Sequence, residues 1–136
     1  MDVAELTVAT DDRVVVDVTA EVRRFLAGRG DGLCSLLAPH ATAGLALLET
    51  GSGSEADLAV ALDRLLPRDA GYRHQHGSPG HGADHLLPAL VSPSLVLPVR
   101  AGEPLLGTWQ SVVLVDTNPD NPRRRVVLSF LADRAG

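Results

Sequence analysis

The chain has 136 residues, of which 45% are hydrophobic, 21% are charged and only 3% are aromatic, and its formal net charge is −5. This balance predicts one soluble domain spanning residues 1–136 with an aliphatic core, and the acidic charge argues against a nucleic-acid partner, since phosphate neutralisation requires clustered cations. All twelve cationic residues are arginines, which excludes Schiff-base lysine chemistry and a P-loop lysine.

Seven short segments have the composition of β-strands, because apolar and β-branched residues fill them and turn residues bound them. The predicted strands are residues 6–10, 13–18, 33–37, 42–48, 95–99, 109–115 and 125–131. Helices are predicted at three places: after a cap at Thr19 up to Gly28, between residues 51–54 and Pro67, and over residues 82–90. Short connections favour antiparallel pairing, so the expected fold is α+β, with a few helices packed on a largely antiparallel sheet layer or sandwich.

The remaining bulk features indicate an ordinary intracellular protein. The single cysteine, Cys34, allows no internal disulfide, and its apolar flanks favour an inert core thiol over a nucleophile. The acidic N-terminal residues do not resemble a signal peptide, and no apolar run approaches the roughly 20 residues that cross a bilayer. A cytoplasmic location with no membrane partner is therefore expected.

Four of the five histidines fall within a Gly- and Pro-rich stretch: His74, His76, His81 and His85. In an extended segment the first two point the same way, and the last two have the spacing that aligns side chains on one helix face. Imidazole is the commonest metal-ligand side chain. The cluster therefore predicts a metal or acid–base site, and a solvated polar loop without function is the alternative.

Three further groups of residues are candidates for catalysis or ligand binding. Glu49 ends an apolar stretch and is either a metal ligand, a general base or an exposed loop residue. Arg123 and Arg125 face one side of a predicted strand, where they either bind phosphate or belong to a charged turn. Trp109 follows a glycine-containing segment and precedes a glutamine, which favours a ligand-pocket wall over a core position.

Taken in order, the chain resembles one protein family over about residues 5 to 132. The two most specific matching segments are His40-Ala41-Thr42-Ala43-Gly44 and Leu106-Gly107-Thr108-Trp109-Gln110. Between and after them come Glu49, Leu66-Pro67, Tyr72-Arg73-His74, Asp84-His85-Leu86 and Arg123-Arg124-Arg125. This order and spacing are similar to the YjbQ family, also called secondary thiamine-phosphate synthases.

The resemblance implies a homotrimer with a site at a subunit boundary. It implies that His40, His74 and His85 bind a divalent metal, either zinc or magnesium, and that Glu49 and His40 take catalytic roles. It also implies a weak thiamine-phosphate synthase activity, which joins an aminopyrimidine diphosphate to a thiazole phosphate and releases pyrophosphate. Arg123, Arg125 and Trp109 would then contact the small phosphorylated ligand.

The chain departs from the family pattern at several positions. Ala41 stands where family members usually have Thr, and Leu48 and Thr50 flank Glu49 where Asn is usual. Ser52-Gly53 replaces the usual Asp-Pro. His76 and His81 match no family position and so rank below the other histidines as ligands.

Three functions follow as hypotheses. The first is the synthase, in which a divalent metal and arginines neutralise the leaving pyrophosphate. The second is a zinc-dependent hydrolase, because three histidines and a water on zinc form a competent hydrolytic arrangement. The third is a non-catalytic trimer that binds a metal or a phosphorylated ligand.

Overall fold

The computed structural model describes residues 1–134 as two antiparallel sheets and three helices. The strands are β1 (Asp2–Ala9), β2 (Val15–Asp17), β3 (Gly32–Leu37), β4 (Ala43–Leu48), β5 (Ser94–Arg100), β6 (Glu103–Pro104), β7 (Ser111–Asp116) and β8 (Arg123–Ala132). The helices are α1 (Thr19–Leu26), α2 (Ser54–Leu65) and α3 (His81–Leu90). The predicted α+β class with antiparallel sheets is confirmed.

The two sheets differ in size and position. One has five strands in the order β1-β8-β3-β5-β6, and the other has three in the order β2-β7-β4. Every paired strand is antiparallel to its neighbour. The inner face of the larger sheet packs against the smaller sheet and α1, while α2 and α3 cover the other face of the smaller sheet.

Strand β7 lies at the centre of this packing and is apolar on both faces. Val112 and Leu114 belong to the core between the two sheets, whereas Val113 and Val115 pack towards α2 and α3. A continuous apolar run is what burial on both faces requires. The end of β7 at Asp116 is therefore a well-fixed point of the fold, and the candidate site lies beside it.

Three predicted boundaries were wrong for identifiable reasons. Strand β1 begins at Asp2 because it pairs with β8 along its whole length. Thr19 is the first helical residue of α1 and not its cap. The backbone N–H and the hydroxyl of Thr19 both donate to the Asp17 carboxylate, at 2.9 Å and 2.6 Å. Trp109 lies in a turn before β7, closed by a hydrogen bond from the Gly107 N–H to the side-chain oxygen of Gln110.

Two other expectations concern the cysteine and membrane-spanning helices. Cys34 is fully buried, so its predicted position in the core is confirmed, and burial raises the pKa of its thiol to about 11. None of the helices between residues 1 and 134 is both long and apolar enough to cross a membrane.

At Gly44, strand β4 passes close to the chain that leaves α3. A Cβ atom added there would lie 2.1 Å from the carbonyl oxygen of Val91. We expect Gly44→Ala to lower the free energy of unfolding by about 1–3 kcal/mol or more, because backbone must shift to make room. Urea denaturation measures this loss.

Gly107→Ala is the matched control. Its added Cβ would meet first the side-chain oxygen of Gln110 at 3.4 Å, which is the end of a flexible side chain. Equal losses in the two variants would contradict the close approach at Gly44.

Candidate metal centre

Four imidazoles meet where the loop before α3 folds back over the start of that helix. His81 and His85 lie one turn apart on α3, and His74 and His76 precede the helix. One ligand nitrogen from each of the four lies within 4.8 Å of the others. The two pairs expected from spacing in the sequence thus form one group.

Contacts around α3 explain why the loop returns to it. The Nε2 atoms of His81 and His85 are 2.8 Å apart, as expected for residues i and i+4. Gly82 lets the loop pass close to the helix, since a Cβ there would lie 2.7 Å from the carbonyl oxygen of His74 and 2.6 Å from Cβ of Tyr72. The same glycine that weakens helix propensity therefore provides the space that the site needs.

A buried carboxylate fixes the helix below the histidines. Asp84 is fully buried and accepts hydrogen bonds from Arg68 Nη1 at 2.7 Å, Arg68 Nη2 at 3.2 Å and the Thr117 hydroxyl at 2.8 Å. Its contacts join the loop after α2, the first turn of α3 and the residue after β7. No role for Asp84 or Arg68 was predicted from the sequence.

The charge state of the cluster suits a metal. Desolvation and then the charges of the neighbouring imidazoles lower the pKa of His74 and His85 below the ordinary value of 6.5. Both side chains are therefore mainly neutral at pH 7, and neutral imidazole is the form that coordinates a metal.

The donor set favours zinc or a similar transition metal over magnesium. All four donors are imidazole nitrogens, whereas magnesium prefers oxygen ligands. A tetrahedral zinc ion with Zn–N bonds of about 2.0–2.1 Å places its ligand nitrogens about 3.3 Å apart. The nitrogen separations here range up to 4.8 Å, with the His81–His85 pair at 2.8 Å, so no separation would have to change by more than about 1.5 Å.

A cleft opens beside the cluster. It has a volume of about 450 Å³, and its lining includes Arg68, Tyr72, His74, Gln75, Ser78 and His81. Clefts of roughly 300–1,000 Å³ accept small organic ligands. A small molecule in this cleft would contact two of the four imidazoles.

His40 was predicted as a metal ligand, but in this chain it does not belong to the four-histidine group. Its Nε2 accepts a hydrogen bond of 2.8 Å from the backbone N–H of Arg125. Burial and then the positive charge of Arg124 lower its pKa. The side chain therefore completes the hydrogen bonding of β8 and leaves only Nδ1 for another partner.

Glu49 lies away from the cluster. It follows Leu48, which pairs with Ser111 at the start of β7, whereas the histidines lie near Thr117 and Asp120, beyond the other end of β7. Five residues of strand separate the two ends, about 17 Å. Glu49 is exposed, and within one chain it cannot act as a base for a ligand at the histidines.

The arginine run has two exposed members and one buried member. Arg123 and Arg125 are exposed on one face of β8, as predicted, and Arg125 Nη1 lies 3.2 Å from Glu5. Arg124 is buried, where it forms an ion pair with Asp116 and donates to the Thr42 hydroxyl at 3.1 Å. The sequence predicted that Arg124 faces away from the two exposed arginines, but it did not predict the ion pair of Arg124 with Asp116.

Trp109 retains 72% of its accessible surface. It is therefore not a core residue, and within one chain it lines no part of the histidine cleft.

Comparison with known proteins gives one consistent result. The family model described as "UPF0047 protein YjbQ-like" matches residues 4–133. The UPF0047 protein Rv2556c of Mycobacterium tuberculosis is 62% identical over 131 residues, covering 96% of this chain and 98% of the relative. A UPF0047 protein of Archaeoglobus fulgidus is 36% identical over 129 residues, with 93% and 99% coverage.

Solved structures agree with the fold. A hypothetical protein from Aeropyrum pernix K1, APE1520, has a TM-score of 0.88 at 30% identity and covers 98% of this chain and 100% of its own. The conserved hypothetical protein TT1486 from Thermus thermophilus has a TM-score of 0.80 at 32% identity, with 94% and 99% coverage. None of these four names states an activity.

Proposed function

The chain belongs to the YjbQ-like UPF0047 family, and from this premise we propose that His74, His76, His81 and His85 bind a divalent transition metal, best zinc, that acts on a small phosphorylated molecule. The observation that carries this proposal is the convergence of four imidazole nitrogens within 4.8 Å beside a cleft. When bound, the ion would polarise a phosphoryl oxygen and neutralise its charge.

The chain's own residues have separate tasks in this proposal. His81 and His85 provide ligands on a helix that Asp84 and Arg68 hold in place. His74 and His76 close the site from the loop, so the ion would connect the loop to the helix. Arg73 is exposed and lies in sequence between Tyr72 and His74, which both line the cleft. Its positive charge beside these residues favours an anionic ligand.

Two reactions are candidates, each favoured by a different observation. The all-nitrogen donor set favours zinc-dependent hydrolysis of a phosphoester, because a zinc ion that expands from four ligands to five would hold an activated water beside the four imidazoles. The resemblance described above favours thiamine-phosphate synthesis, in which the same positive charge would neutralise the leaving pyrophosphate. Release of phosphate from simple phosphomonoesters supports the first, and release of pyrophosphate from the aminopyrimidine diphosphate supports the second. Tight binding of both ligands without turnover would support a binding protein.

A homotrimer would reunite the predicted residues that one chain keeps apart. The outer face of the larger sheet exposes several apolar side chains: Val3, Leu33, Leu37, Val96 and Leu131. Exposed apolar patches of this kind mark protein contact surfaces. We propose that Glu49 and Trp109 of one subunit lie beside the histidine cleft of the next in such an assembly, whereas His40 keeps its contact with Arg125. A monomer mass by light scattering would contradict this part of the proposal.

Metal content is the direct test of the proposed site. We expect the purified protein without a histidine tag to contain about one zinc per chain, and His85→Ala to contain almost none, because loss of one ligand leaves an incomplete tetrahedral set. Elemental analysis measures both.

His40→Ala is the matched control, since it removes an imidazole outside the four-histidine group. It should retain the metal. Metal-free wild-type protein after purification in zinc-containing buffer would contradict the proposed function, and equal metal in His85→Ala would contradict this ligand set.

A further inference from the structure

His81 differs from the other three histidines because both of its ring nitrogens are enclosed. It is the buried member of the group, and its Nε2 lies 2.8 Å from Nε2 of His85 inside the cluster. Its Nδ1 faces the opposite way, where it is buried without a hydrogen bond. A buried polar atom of this kind is costly unless a partner is close.

Two carboxylates lie near that nitrogen, and they are not equivalent. Oδ2 of Asp120 is 3.3 Å from Nδ1, and Oδ2 of Asp84 is 3.7 Å away. Both oxygens of Asp84 already accept hydrogen bonds from Arg68, and Thr117 adds a third. Asp120 has spare accepting capacity and is closer, so it is the better partner.

The loop that carries Asp120 is held in place from both sides. The Asp120 N–H donates to the Asn118 side chain at 3.0 Å, and the Asn118 N–H donates to Asp116 at the end of β7 at 2.9 Å. From the other side, the Ser78 N–H donates to Oδ2 of Asp120 at 3.3 Å, which lowers the pKa of that carboxyl. The carboxylate is thus held between the histidine loop and the first residue of α3.

We propose that Asp120 is a positioning residue for the metal: its carboxylate accepts the Nδ1–H of His81 and so fixes the tautomer whose Nε2 lone pair faces the cluster. Metal-bound histidines commonly donate their second N–H to a carboxylate, which orients the ring and strengthens the ligand. In the metal-free protein the same tautomer makes His81 Nε2 the acceptor and His85 Nε2–H the donor of their 2.8 Å contact. The inference rests on the proposed metal function and adds a residue that the sequence analysis did not name.

The first test measures zinc affinity by competition with a chromophoric chelator. Removal of such a carboxylate typically weakens metal binding about 10–100-fold, and we expect this loss in Asp120→Ala. Asp120→Asn should lose less, since its amide oxygen still accepts from Nδ1. The matched control is Asp12→Ala, an exposed acid in the turn after β1, which should bind zinc like the wild type. Unchanged affinity in Asp120→Ala would overturn the inference.

The second test needs no metal and separates positioning from simple loop support. Long-range ¹⁵N–¹H correlations in the metal-free protein report which nitrogen of His81 carries the proton. We expect Nδ1–H in the wild type and a shift towards Nε2–H in Asp120→Ala, whereas a merely structural role would leave the tautomer unchanged.

The two tests distinguish failure of the inference from failure of the proposed function. If wild-type protein binds no zinc, the metal function fails, and a tautomer shift in Asp120→Ala would still assign the carboxylate to His81. If the wild type binds zinc but the tautomer is the same with and without Asp120, the inference is wrong and the metal function stands.

Discussion

The Arg124→Ala variant is expected to lose about 3–5 kcal/mol of its free energy of unfolding, because it leaves the buried Asp116 carboxylate without its cationic partner. Burial already raises the pKa of Asp116, and hydrogen bonding to Arg124 opposes that rise. Without the guanidinium, the carboxyl must either take up a proton or remain an uncompensated charge. Chemical denaturation in urea at pH 7 measures the loss.

The neighbouring arginines are controls on the same strand. Arg125→Ala breaks an ion pair between two half-exposed side chains, and such pairs are worth about 0–1 kcal/mol. Arg123→Ala should also have a small effect on stability. An equal loss in the free energy of unfolding in all three variants would contradict the predicted contribution of the buried Arg124–Asp116 pair. The predicted phosphate contacts of Arg123 and Arg125 are tested separately, by measuring the binding of inorganic phosphate to Arg123→Ala and to Arg125→Ala.

Saturating zinc is expected to raise the free energy of unfolding by about 4 kcal/mol when its free concentration is about 1,000 times the dissociation constant. The ion would bind only the folded chain, in which loop and helix bring the four nitrogens together. We expect this increment to disappear in His81→Ala and to persist in His40→Ala. Thermal or urea unfolding with and without zinc measures it, and a zinc increment of the same size in both variants would contradict the four-histidine site.

The zinc increment should also depend on pH in a defined direction. The pKa values of His74 and His85 are lower in the folded protein than the ordinary value of 6.5, so the unfolded chain binds more protons below pH 6.5. Stability of the metal-free protein therefore falls as the pH drops below 6.5. Protons also compete with zinc for the imidazoles, so the increment itself should shrink over the same range.

Local patterns explain which parts of the site were predictable. Four histidines in one short stretch, spaced for a strand and for a helix, predicted the candidate ligands and their pairing. The ranking of His76 and His81 below the others came from positional matches to the family, which do not report how a loop folds. In the structure both imidazoles belong to the group, and the loop before α3 passes close to the helix at Gly82.

The groups that support the histidines could not be read from the sequence, because their partners are distant along the chain. Arg68 and Asp84 are 16 residues apart, and Ser78 and Asp120 are 42 residues apart. No periodicity connects such positions. The roles of His40 and Glu49 depended on the resemblance, and the register of β4 on β7 separates Glu49 from the cluster by the length of a strand.

The fold itself was predictable where hydrophobic alternation was strong. Strands β3, β5 and β8 and helix α2 lie close to their predicted positions. The two-residue strand β6 was missed because Glu103–Pro104 shows no strand pattern and pairs only through the register of β5. The early start of β1 likewise depends on its partner and not on its own acidic residues.

The position of β8 has a consequence for folding during synthesis. This strand lies between β1 and β3, yet it is the last strand in the described part of the chain. Neither neighbour can complete its hydrogen bonding until β8 has left the ribosome, so the larger sheet should assemble only after translation of that segment. Until then β1 and β3 present open edges, which are prone to intermolecular pairing. Long-range pairing of this kind also predicts slow folding for a protein of this size.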